Sequence, residues 1–180
     1  MATPSPGNDP KASFTDDLLQ AAELARASGG KGSVVKDTQI IRFAAGDRPF
    51  AAPIEAVERL ERVPTVTPVP RTPGWLHGVA SLRGGIVCIV DLRRLLAHDE
   101  AGTPNPRSLV ILHDGARRRL GVLSSSLPDF ERIRVDESVR PPAAEVDVYH
   151  GAVERDYELV GILDPMKLFD HVERSLGDGA

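Results

Sequence analysis

Cysteine occurs once in this chain, so no disulfide can form within it. That residue, Cys88, sits between Val87 and Ile89 with no basic neighbour in sequence, which suits a small buried hydrophobe better than a nucleophile. Aromatic residues make up only 4%, too few for a base-stacking platform, and the formal charge of −4 argues against the basic face that nucleic-acid binding needs. Long apolar runs are missing too: the longest, Ile86 to Val90, falls far below the roughly 20 residues of a membrane-spanning helix. No charged leader followed by an apolar stretch opens the chain, so the expectation is a cytoplasmic protein without membrane insertion. The histidines at 77, 98, 113, 150 and 171 form no i, i+4 pair and have no Cys or Glu at ligand spacing, so no metal site is expected. Ser124-Ser125-Ser126 lacks the Gly-x-Ser-x-Gly elbow, and its hydroxyls are expected to bond local backbone. Arg117-Arg118-Arg119 follows an Asp-Gly turn and reads as a solvated hairpin. Nothing assembles an acid, a base and a nucleophile, and no catalytic or cofactor-binding residue is expected.

What the chain does have is an internal repeat. Leu76 to Leu96 lies over Tyr149 to Phe169 at a constant offset of 73 residues, from Gly78 to Gly151 and from Asp91 to Asp164. A weaker match places Ile41 to Asp47 over Val110 to Gly115. The period exceeds the solenoid range of roughly 20 to 50 residues and reads as one module duplicated once. Each half runs strand, turn, strand, extended segment, Gly-led strand, strand and short helix, with Asp91 and Asp164 at the helix N-caps and Pro165 at the first helical position.

Residues 1–37 precede the repeat. Ser13 and the spacing of Phe14, Leu18, Ala21 and Ala25 suggest a short helix, either marginal and frayed or a docking element, followed by a Gly-rich linker. Residues 54–62 read as either one helical turn or extended chain, and Val63 to Pro70 carries too many prolines for a central strand. A tight hairpin turn is expected at Gly84-Gly85. Trp75, in a Pro/Gly-bounded loop, is either an interface anchor or a plug at the end of a small barrel.

The stretch Leu76-His77-Gly78-Val79-Ala80-Ser81-Leu82-Arg83-Gly84-Gly85, its apolar continuation and Val90-Asp91-Leu92-Arg93 together resemble the CheW family of chemotaxis adaptors. Phe50 to Leu60, Pro73-Gly74-Trp75-Leu76 and Gly161-Ile162-Leu163-Asp164 extend the likeness over residues 38–172. The resemblance implies a mainly β fold of two small five-stranded SH3-like β-barrels related by duplication, the first over about 38–105 and the second over about 106–172, with a C-terminal tail at 173–180. It implies a non-enzymatic adaptor that binds the regulatory domain of a CheA-type histidine kinase and the cytoplasmic tip of chemoreceptors. The same likeness implies mixed rings in membrane-associated arrays. By position it assigns Val57, Arg59, Leu60, Leu82, Arg83 and Gly84 to partner contact. Four positions depart from the family pattern: Ser81 replaces the usual Asn, Ser124-Ser125 stands where Val-Asp is frequent, and Arg59 stands where Glu is common. With Arg at 59, Arg83 is expected to turn to another carboxylate or to solvent, and Glu61 to neutralise Arg59. The alternative reading is a divergent scaffold, inhibitory or localisation module that binds only one array component.

Overall fold

The computed structural model describes residues 35–83, 85–97, 105–137, 139 and 146–177; the expected tail helix at 14–25 and Gly84 lie outside them. Among the described residues, ten strands and two α-helices follow in order. The first half holds β1 (Val35–Ala45), β2 (Arg48–Pro53), β3 (Val57–Glu61), β4 (Leu76–Leu82), β5 (Gly85–Val90) and α1 (Leu92–Ala97). The second holds β6 (Ser108–His113), β7 (Arg119–Ser124), β8 (Asp129–Asp136), β9 (Tyr149–Arg155), β10 (Glu158–Leu163) and α2 (Pro165–Gly177). The fold is mainly β and each half repeats the same order of elements. The segment left open at 54–62 resolves into a 3-10 turn at Ile54–Ala56 followed by β3.

The barrels, however, do not coincide with the halves. β1 and β2 close a barrel with β10, β9 and β8, while β6 and β7 join β3, β5 and β4 in the order β3-β6-β7-β5-β4. Each half therefore donates its first two strands to the other, and the contiguous boundaries at 38–105 and 106–172 are replaced by an exchanged pairing. The connections give the reason. Antiparallel pairing of β3 beside β1 would make β3 parallel to β2, so the link would have to run back along the six-residue β2, about 20 Å. The three-residue turn between them spans at most about 11 Å even when extended. Residues 125–128, between β7 and β8, are similarly short. With the place beside β1 closed to it, the strand after each hairpin continues into the neighbouring sheet.

Exchange buries strands on both faces. Along β6, Val110 and Leu112 enter the core shared by the two sheets, while Leu109 and Ile111 fill the interior of the second sheet. The interior of the first barrel holds Ile40, Ala51, Ile133, Val135, Val160 and Ile162. The shared core adds Phe43 and Phe50, with ring centroids 6.2 Å apart, and Leu92, Leu95, Leu168 and Phe169 from the helices. The serines at the end of β7 join the two sheets. Ser124 Oγ donates to the nearby Ser126 carbonyl, but Ser125 Oγ donates to Gly46 O at 2.6 Å, and the Ala44 N–H donates to Ser126 Oγ at 3.0 Å. Only the first of these bonds is local.

The repeat is visible in backbone detail. Asp91 N–H donates to the Trp75 carbonyl at 2.9 Å and Asp164 N–H to the Val148 carbonyl at 2.8 Å, equivalent bonds at the 73-residue offset. Asp91 Oδ1 accepts from Arg93 N–H at 3.0 Å and Arg94 N–H at 3.4 Å, and Asp164 Oδ1 from Lys167 N–H at 3.2 Å. The two helices differ in length. α2 runs through residue 177, with Val172 buried and Leu176 packed on the shared core, so residues 173–177 are helix rather than tail. At the other end, β1 begins at Val35, slightly before the expected boundary at 38.

Candidate partner-binding surface

β3 lies at the edge of the second sheet and pairs only with β6 among the named strands. The facing edge is β4. Between them runs the Pro-rich segment, whose Thr67 exchanges both backbone hydrogen bonds with Val79, at 2.8 and 2.9 Å, while Val63 and Val66 pack on the interior. Proline cannot donate to a ladder, which confines this closure to one bridge and leaves most of the seam to side chains.

A charged cluster occupies the seam. Arg59 Nη1 lies 2.7 Å from Glu58 Oε1, and its Nε lies 2.9 Å from Glu61 Oε1. Arg83, at the turn after β4, approaches Glu61 at 3.9 Å, and Arg119, at the start of β7, approaches Glu58 at 3.6 Å. Glu61 thus sits between the two arginines whose direct pairing would be repulsive. Arg83 is 82% exposed, whereas Arg59 is largely covered and its Nη2 is buried without a hydrogen-bond partner. Leu60 and Ile86, 44% and 76% exposed, leave β3 and β5 on the opposite face of the sheet from Arg59, Glu61 and Arg119.

The residues assigned to partner contact by resemblance divide accordingly. Arg59, Leu60 and Arg83 reach the seam surface. Val57 packs on the shared core, and Leu82, 6% exposed, fills the interior of its sheet, so its contribution is packing. Trp75 is partly buried against the shared core at the entry to β4, and its carbonyl holds the start of α1. Two members of the cluster were missed in the sequence: Glu58 and Arg119. For Arg119 the signal was strand alternation. Side chains of successive residues leave a strand on opposite faces, so Arg118 and Arg119 diverge. Arg118 turns to Asp114 at 2.7 Å, Asp170 at 2.9 Å and Glu173 at 3.2 Å, with its guanidinium over the Phe169 ring. It clasps α2 rather than standing in solvent.

The model of the CheW-like domain matches residues 39–173 of this chain. The chain belongs to the CheW family. Among CheW relatives, the probable chemotaxis protein CheW of Rhizobium etli is 27% identical over 142 residues, covering 76% of this chain and 90% of that protein. Protein FrzA of Myxococcus xanthus is 32% identical over 100 residues, 56% of this chain and 62% of its own. The crystal structure of the scaffolding protein TtCheW from Thermoanaerobacter tengcongensis superposes with a TM-score of 0.58 at 21% identity, covering 72% of this chain and 85% of that one. The CheW fold of two five-stranded SH3-like units is therefore the fold of this chain. No helix among the described residues is long and apolar enough to cross a membrane.

Proposed function

We propose that this protein is a non-enzymatic adaptor that couples chemoreceptor cytoplasmic tips to the regulatory domain of a CheA-type histidine kinase, recruited from the cytoplasm to membrane-associated arrays. The observation that carries the reading is the CheW-like match across residues 39–173, the span that supplies both sheets but for the start of β1, and the larger part of α2. A protein of this kind works through surfaces, and the seam offers an exposed arginine, Arg83, a side chain enriched at interface centres.

A second reading is favoured by Arg59. With an arginine where the family commonly has Glu, the chain engages only one array component and acts as a scaffold or inhibitor. Co-purification separates the two. The protein is mixed with the CheA regulatory domain and a chemoreceptor cytoplasmic fragment encoded by the same genome, singly and together. Capture of both supports the adaptor, capture of one supports the scaffold, and capture of neither overturns both.

A further inference from the structure

The seam cluster carries more positive charge than its own carboxylates neutralise. Arg59, Arg83 and Arg119 share two anions, Glu58 and Glu61, and exposed Arg62 follows directly in sequence. This basic spot lies on a chain of formal charge −4, so it stands out from the field of the rest of the molecule. The pairs already formed hold the side chains without satisfying them: one long contact reaches Arg83, one reaches Arg119, and Arg59 Nη2 has no acceptor. The Arg119 guanidinium lies over Gly85, whose lack of a side chain leaves it room at the start of β5.

We propose that this seam selects an acidic protein segment, one that sets carboxylates against Arg83 and Arg119. The proposal rests on the adaptor reading and specifies the chemistry of the partner at this face. Guanidinium groups favour carboxylates because the planar fork matches two oxygens, and a partly covered cluster loses less to screening than isolated surface charges. Arg59 acts as the positioning residue. By occupying both Glu58 and Glu61 it leaves the other two arginines under-neutralised, whereas a carboxylate at 59 would neutralise them and repel an acidic partner. A single position thereby sets the sign of charge the seam accepts.

The test uses the full chain and three fluorescent peptides of one sequence, with leucines flanked by Glu, Gln or Lys, read by anisotropy at low and high salt. The expected order is Glu tighter than Gln tighter than Lys, with the Glu peptide weakening as salt rises. Arg59→Glu and, separately, the exposed Arg83→Glu are expected to lower affinity for the Glu peptide by about tenfold or more, a factor worth about 1.4 kcal/mol. Arg134→Glu, on β8 of the other barrel, is expected to leave it unchanged. Amide shifts on titration are expected at Arg83 and Arg119. Equal binding of the Glu and Gln peptides, or an equal loss from Arg134→Glu, overturns the proposal. The two readings fail separately. If the wild-type chain captures kinase and receptor but neither seam variant changes either capture, the adaptor stands and acidic selection falls. If the Glu peptide binds as expected while neither protein is captured, acidic selection stands and the adaptor falls.

Discussion

Asp91 is buried to 4% exposure and its carboxylate accepts the orphan N–H groups that open α1. Asp91→Ala is expected to lower stability by about 1 kcal/mol without changing partner capture. A normal melting curve with lost capture would instead make Asp91 a contact residue. This role was legible because Asp before an apolar helical stretch is a local signal, and the repeat presents it twice. Asp114 was not legible in the same way, since Asp-Gly announces only a turn and not the Arg118 side chain that folds back on the carboxylate from four residues on. Arg118 above all, with the Ala116 and Arg118 backbone N–H groups, holds the Asp114 carboxyl below its ordinary value of 3.8. A depressed carboxylate contributes stability that is fully present above the unfolded value and is lost as pH falls through the lower folded value. The difference in Tm between wild type and Asp114→Asn should therefore be constant above about pH 5 and shrink as the pH drops below about 4. A difference that persists unchanged in acid would show that the ion pair to Arg118 contributes nothing.

At the scale of elements, the His-Gly pairs show what the repeat encodes. The β4–β5 register passes from Leu76 opposite Val90 to Gly78 opposite Ile89, leaving His77 as the extra residue, and β9–β10 does the same around His150. Both histidines are bulge residues, and His150 also meets Glu137 at 2.8 Å. The glycine is required at the first bulge. Gly78 has φ of 145°, and a β-carbon there would run into the Thr67 carbonyl that pairs with Val79. Gly115 also has positive φ, 80°, but faces open space. Gly115→Ala is expected to cost about 1 kcal/mol from backbone strain alone, and Gly78→Ala about 2 kcal/mol or more because the seam bridge is lost as well. Urea unfolding of the two variants checks the order; equal costs would mean that the Thr67 bridge contributes nothing. The sequence announces a turn at both glycines. It does not show the second strand that approaches one of them.

For the whole molecule, a duplication is ambiguous about pairing. The hairpin β1–β2 could join the three strands of its own half or those of the other, because the repeat gives both sets the same character. Strand existence and order were therefore legible from Ile86–Val90 and its equivalent, while barrel membership, expected to follow the contiguous halves at about 38–105 and 106–172, was not. The deciding signal was present in the short links at 54–56 and 125–128, which cannot return along a strand. Exchange has a thermodynamic consequence. Neither sheet can lose its strands without removing two strands from the other, and both pack on one shared core of Phe43, Phe50, Leu112, Leu120 and Leu168. Unfolding is expected to be a single cooperative transition. Fluorescence of Trp75, which enters the second sheet, and amide exchange of β8, in the first barrel, should report the same midpoint in denaturant. Two separated midpoints would mean that the exchanged strands can leave one sheet while the other holds, and that the halves are less interdependent than their connections require.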